Sequence, residues 1–214
     1  MTLPGGEGKG RGLLVVLSGP SGVGKGTVVA HAMSLHSEEA RRLRRSVSVT
    51  TREMRNGEKP GVDYFFIFPH EFEGMAEAGD LLEWATYLGH DYGTPAAWVD
   101  QQLTDGYDVV LEIEVKGAMQ VRERRRDAVL IYMRPPSWRA LRRRLATRKR
   151  ESPELQQRRL AVARQEIEHI SSYDYVIVND RVGRAARLLL AILGSERSRV
   201  TRADLSDLLG PDEA

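Results

Sequence analysis

Leu13-Leu14-Val15-Val16-Leu17-Ser18 runs directly into Gly19-Pro20-Ser21-Gly22-Val23-Gly24-Lys25-Gly26, with Thr27 next. An unbroken apolar run that ends in a glycine loop is the pattern of a strand buried on both faces of a parallel sheet. Such a strand is predicted over 12–18, feeding a helix that starts near Thr27. The loop matches G-x-x-x-x-G-K, of which a chain of this composition would hold roughly 0.04 copies by chance. Glycines at those positions let backbone N–H groups turn inward around phosphate oxygens. The helix N-terminus adds partial positive charge, and Lys25 reaches the β and γ oxygens of a triphosphate. Gly19, Pro20, Ser21, Gly22, Val23, Gly24, Lys25, Gly26 and Thr27 are therefore the expected phosphate cradle. The hydroxyl residue that usually follows the lysine and ligates Mg²⁺ is replaced by Gly26, so the metal is expected to be held through phosphates and water.

Outward from this loop, apolar runs return at 108–115, 128–133 and 175–178. Helical spacing covers 96–106, 117–126, 137–147 and 153–170, the last with Leu155, Leu160, Val162, Ile167 and Ile170 as its apolar stripe. Strands alternating with helices predict an α/β fold, a mostly parallel sheet flanked by helices. Between 46 and 93 the rhythm changes to strands at 46–51 and 62–68, a helix at 71–78 and a strand at 81–88, which predicts a mixed sheet inserted into the α/β core.

Composition narrows the function. A chain of 214 residues suits one domain with an inserted subdomain. Its 41% hydrophobic and 29% charged residues are those of a folded globular protein. The absence of cysteine excludes a disulfide framework, a thiolate metal site and a thiol nucleophile, and suits the reducing cytoplasm. No membrane association is expected, because the longest apolar runs, 13–17 and 188–193, are far short of the roughly 20 residues a span requires. Residues 1–11 lack an apolar segment and read as a flexible tail, and 194–214 as a polar one. The net charge of +2 calls for no polyanionic partner. Between Arg122 and Arg150, however, twelve Lys or Arg face only Glu123 and Asp127, so a small anion is expected to visit that stretch. Tyr132 and Trp138 are too few aromatics there for nucleic-acid binding as a main function. The histidines at 31, 36, 70, 90 and 169 have no helical pairing that would suggest a transition-metal site. A loop of this type serves kinases, GTPases and motor ATPases alike, and the absence of an N-K-x-D guanine reader argues against a GTPase.

Further segments decide among the rest: Ser46-Val47-Ser48-Val49-Thr50-Thr51-Arg52 with Arg55, Gly57-Glu58, Asp63-Tyr64-Phe65-Phe66, Leu82-Glu83-Trp84-Ala85 and Tyr92-Gly93-Thr94. Leu111-Glu112-Ile113-Glu114 before Gly117, Pro135-Pro136-Ser137 and Val178-Asn179-Asp180 complete the set. With these the chain resembles the guanylate kinase family over about 12–193. The resemblance implies the P-loop nucleoside-monophosphate-kinase fold, with a core (12–45, 95–146 and 160–193), a GMP-binding subdomain (46–94) and a helical lid (147–159). It implies transfer of a phosphoryl group from ATP, with Mg²⁺, to GMP and dGMP. ATP and GMP are then the partners, Asn179 joins the ATP site, and oligomeric state is left open. By the same resemblance Arg52, Arg55, Tyr64 and Tyr92 hold the acceptor phosphate, and Glu114 and Thr94 lie at the base. Arg144, Arg148 and Arg159, with Lys25, act on the phosphoryl group in flight.

Residue chemistry agrees with this. Guanine presents N1–H and N2–H₂ on one edge, which one carboxylate such as Glu83 accepts together, while O6 needs a donor such as the Ser48 hydroxyl. Two guanidinium forks and two phenols suit a phosphate dianion. Glu112, at the end of an apolar strand, is the candidate for the outer shell of the metal. The chain departs from the family at Lys149-Arg150, where Gly-Thr is usual in the lid, and at Lys116, Arg134 and Gly26. An inactive phosphopeptide-binding module of this fold would have lost the loop, whereas Gly24, Lys25 and the lid arginines remain. A kinase of a phosphorylated sugar would have no use for Glu83 and Ser48.

Overall fold

The computed structural model of the protein describes residues 10–87, 89–146 and 153–202. In chain order the elements are β1 (Leu14–Ser18), α1 (Lys25–Met33), α2 (Glu38–Arg42), β2 (Leu43–Arg45), β3 (Ser48–Thr50), β4 (Tyr64–Phe66), α3 (Pro69–Ala78), β5 (Leu81–Tyr87) and β6 (His90–Pro95). They continue with α4 (Ala96–Thr104), β7 (Asp108–Glu112), α5 (Val115–Arg124), β8 (Val129–Arg134), α6 (Trp138–Ala146), α7 (Pro153–Ile167), β9 (Tyr175–Val178) and α8 (Val182–Arg197).

Five strands form a parallel sheet in the order β2-β7-β1-β8-β9, so the strand that feeds the phosphate loop is central. Alternate residues of β1 enter two cores. Val15 and Leu17 pack with Val28, Val29, Leu189 and Leu193 from α1 and α8 on one face. Leu14 and Val16 pack with Val99, Leu103, Ala118 and Val121 from α4 and α5 on the other. Burial on both faces is why the run lacks polar alternation. Each fully buried aliphatic side chain contributes about 1.5–3 kcal/mol. The register opposes Leu17 to Glu112, which sets the end of β7 beside the phosphate loop.

The second sheet is mixed, in the order β4-β3-β6-β5. β3 runs parallel to β4 and antiparallel to β6, which is antiparallel to β5. Val49, Phe72 and Leu81 form its own small core with Phe65 and Met75. A fourth cluster joins α6 to α7 through Leu141, Leu145, Leu160 and Ala163.

Four differences from the sequence reading have physical causes. The helix after β7 begins at Val115, and the strand expected through 115 stops at Glu112, because Glu114 takes the extended N-cap conformation. The stripe of α7 is rotated: Val162 and Ile167 are exposed, while Ala163 and Glu166 are buried. Helix α8 follows an i, i+3, i+4 pattern, Ala185, Ala186, Leu189, Leu190 and Leu193, whose central residues the sequence reading took only as an apolar run. Strand β6, with Gly93 and Pro95, has poor strand propensity and is formed by its neighbours on both sides.

Candidate active site

The loop between β1 and α1 is shaped by its glycines. Gly19 has φ 139°, and a Cβ there would lie 2.1 Å from the Met133 carbonyl oxygen. Gly24 caps α1 with φ 97°, and a Cβ would lie 2.8 Å from Asn179 Nδ2. Neither position tolerates a side chain without moving backbone or a buried amide. Lys25 Nζ donates to the Gly19 carbonyl at 2.5 Å, which closes the loop on itself. Asn179 follows β9 and braces the other side: its Nδ2 donates to Val23 O at 2.8 Å. Arg144, from α6, donates to Val23 O at 3.0 Å and Asn179 O at 2.8 Å. A cavity of about 320 Å³ lies there, lined by Gly22, Val23, Gly24, Thr27, Arg144, Asn179 and Val182. Asn179 Oδ1 is buried without a hydrogen-bond partner.

Across the cleft the second sheet assembles the acceptor residues. Glu83 on β5 is 6% exposed, its carboxylate takes a hydrogen bond from Thr94 Oγ1 at 2.6 Å, and burial pushes its pKa up. β3 pairs with β6 at Val49–Gly93 and Thr50–Tyr92, and one step along that register sets Ser48 beside Thr94. Ser48, Thr94 and Glu83 therefore follow one another across three strands. The carboxylate also reaches α5, where a Cβ on Gly117 would lie 2.7 Å from Glu83 Oε2. Gly117 is thus what leaves room for the carboxylate.

Arg52, 9% exposed, donates to Glu58 Oε1 at 2.8 Å and to Glu53 O at 2.6 Å, and its guanidinium lies 5.5 Å from the Tyr64 ring centroid. The Tyr64 and Tyr92 rings are 5.9 Å apart. The hydrogen bond from Arg52 holds Glu58 below the usual carboxylate range, and the same bond raises the guanidinium. Glu58 also accepts from the Arg55 backbone N–H at 2.8 Å, tying the two arginine positions together, although the Arg55 side chain is exposed. Arg52, Tyr64 and Tyr92 are brought together, and Arg55 stands at the rim.

Where the two sides meet, Arg159 of α7 donates to Ser21 Oγ at 2.5 Å. Arg148, like Lys149 and Arg150, lies outside the described residues. Ser21, Tyr87, Glu114, Arg158, Arg159, Val162 and Glu166 line a cavity of about 330 Å³ between the loop, the second sheet and α7. Glu114 is exposed at the N-cap of α5 and lines this cavity. Glu112 lies half-buried at the end of β7, raised by burial against the opposing charges of Arg45 and Lys25. Among the described residues no group of three or more His, Asp or Glu gathers to cage a metal. One carboxylate beside a phosphate loop fits Mg²⁺ carried in with phosphates and its own waters, as this reluctantly dehydrated ion prefers.

Two residues of this site were missed in the sequence. Glu166 is 9% exposed with Oε2 unpartnered, and its pKa is raised by burial and by Glu114 against the charge of Lys25. Its signal was the spacing Leu160, Ala163, Glu166, a carboxylate on the buried stripe of a helix. Arg45 pairs with Glu112 at 2.8 Å, a contact between residues far apart in the chain that no local pattern announces.

A family model described as Guanylate kinase matches residues 11–196. The chain is 48% identical to the guanylate kinase of Enterococcus faecalis over 192 residues, 90% of this chain and 93% of that protein. It is 48% identical to the guanylate kinase of Bacillus subtilis over 194 residues, 91% and 94% of the two chains. The crystal structure of guanylate kinase from Anaplasma phagocytophilum is similar, with 35% identity and a TM-score of 0.71 over 94% of this chain and 95% of that one.

Proposed function

The chain belongs to the guanylate kinase family, and on that premise we propose that it moves the γ-phosphoryl group of ATP to the phosphate of GMP, and of dGMP, giving ADP and the nucleoside diphosphate. The observation that carries this reading is the buried Glu83 carboxylate, held by Thr94 with room left by Gly117, in a chain that also carries the phosphate loop. A carboxylate desolvated at a cost is matched by the N1–H and N2–H₂ edge of guanine. Adenine, which has an acceptor at N1 and no 2-amino group, would leave it unpaired, the kind of mismatch that can discriminate by roughly 10⁴.

Arg52, Tyr64 and Tyr92 take the acceptor phosphate, with Arg55 joining from the rim as the second guanidinium and Ser48 donating to O6. Glu114, facing the cavity, and Thr94, through Glu83, complete the base site. Gly19 to Thr27 take the ATP phosphates. The Asn179 Oδ1 acceptor is suited to the amino group of adenine in the cavity beside it. An oxygen of the acceptor phosphate attacks the γ-phosphorus in line as the bond to the β-phosphate oxygen breaks. The ADP oxygen carries the charge away, and no covalent enzyme intermediate is needed. Lys25, Arg144, Arg148 and Arg159 stabilise the charge on the moving group, and Arg144 also keeps the loop in shape through Val23 and Asn179. Mg²⁺ would supply positive charge to the triphosphate, and Glu112 would help to hold it through a water. The acceptor subdomain is assigned to 46–94 and the lid to 147–159, in keeping with a second sheet that spans Ser48 to Pro95. The cysteine-free composition supports action in the cytoplasm. ³¹P NMR of the protein with Mg·ATP and GMP is expected to give ADP and GDP in equal amounts. Folded Lys25→Ala should slow this by about 10² or more, and unchanged turnover in that variant would overturn the assignment of the loop.

A further inference from the structure

Arg45 ends the edge strand β2, and the kinase reading above gives it no role. Its Nε lies 2.8 Å from Glu112 Oε1, and its Nη2 donates to the Gly26 carbonyl at 3.2 Å. Two attachments from one planar fork fix both the guanidinium and the carboxylate it holds. The other oxygen, Glu112 Oε2, then points at the first atom that a side chain at residue 26 would have. A Cβ on Gly26 would lie 3.2 Å from Oε2 and 3.5 Å from Arg45 Nη2. Loops that carry Ser or Thr after the lysine offer Mg²⁺ a hydroxyl from this position.

We propose that Arg45 is the positioning residue for the metal carboxylate of this kinase: by occupying Oε1 it turns Glu112 Oε2 into the space above Gly26, where it accepts from a metal-bound water that takes the place of the missing hydroxyl. The proposal rests on the kinase reading above. Mg²⁺ keeps several of its waters, so a carboxylate one water away is enough to hold it if that carboxylate cannot wander. Without Arg45 the Glu112 carboxylate loses the fork that fixes Oε1, and Oε2 is no longer held above Gly26. The alternative, a direct bond from Arg45 to an ATP phosphate, predicts an equal loss with and without metal.

The test is calorimetric titration of ATP into wild type and Arg45→Met, once in EDTA and once with excess Mg²⁺. The Arg45 side chain is 50% exposed and its apolar stem is kept, so the variant is expected to fold. Affinity for metal-free ATP should stay within about twofold, because an exposed charge is screened. The gain in affinity that Mg²⁺ confers should shrink by about tenfold, the scale of lost partners that orient metal ligands. An unchanged gain would overturn the proposal, as would an equal loss with and without metal, which would make Arg45 a phosphate contact. Failure of wild type to bind ATP under either condition would instead overturn the kinase reading itself.

Discussion

Replacing Glu83 by Gln separates recognition of guanine from support of the fold. Wild-type Glu83 offers guanine two hydrogen bonds to a charged group, each about 1.5–3 kcal/mol. Gln keeps one acceptor and sets an amide N–H₂ against a guanine donor, so the lower end, about 3 kcal/mol or roughly 10² in kcat/KM for GMP, is expected. Stability should move the other way. Burial raises the carboxyl pKa in the folded state above its unfolded value. The folded protein therefore binds that proton more tightly, and stability is lost as pH rises through the folded pKa. The ionised form carries a burial cost that Gln does not, so the variant should melt no lower than wild type. The assay is coupled ADP release with GMP and with IMP, which lacks the 2-amino group. Wild type should prefer GMP to IMP by roughly 30-fold, one charged hydrogen bond of about 2 kcal/mol, and Glu83→Gln should reduce that preference to below about tenfold. An equal loss for both acceptors together with a lower melting temperature would refute the reasoning and make Glu83 structural.

Gly117→Ala places a methyl group 2.7 Å from Glu83 Oε2. It should raise KM for GMP about tenfold in steady-state kinetics, since displacement of a recognition group by a fraction of an ångström is costly. Glu166 faces Lys25 from α1, Glu114 from α5 and Tyr132 from β8, with Tyr173 pushed up to about 12 beside it. Its raised pKa predicts that stability is lost as pH rises through the folded pKa, and Glu166→Gln should flatten that fall in melting temperature. Asp108 is fully buried and accepts from the Leu13 backbone N–H at 2.8 Å and from Arg197. Asp108→Asn breaks that buried pair and should cost about 3 kcal/mol, or roughly 6–12 °C in thermal melting, with KM unchanged.

The parallel core was legible because burial on both faces leaves an unmistakable run: 12–18, 108–115, 128–133 and 175–178 all became strands within a few residues. The phosphate loop was legible because its glycines answer a local demand, a backbone turned inward with no room for a Cβ at Gly19 or Gly24. β6 was not, since Asp91, Gly93 and Pro95 form a strand through pairing on both edges rather than through their own preference. The same division holds within the site. Glu83 stood out as a carboxylate between Leu82 and Trp84, whereas Arg45 acquires meaning only when β2 is laid beside β7. Arg144 was expected from the resemblance to act on the phosphoryl group. Its two hydrogen bonds to Val23 and Asn179 give it a further structural task, which sequence could not disclose because the carbonyls it meets are backbone atoms.

The most direct test of the account is ADP formation from Mg·ATP with GMP, dGMP, AMP, UMP, CMP and ribose phosphates offered singly, with Lys25→Ala as the blank. The account predicts turnover with GMP and dGMP, and at least about 10³-fold less with AMP, for which the Glu83 carboxylate has no partner. Measurable binding of GMP without turnover of any acceptor, or equal turnover of AMP and GMP, would contradict it.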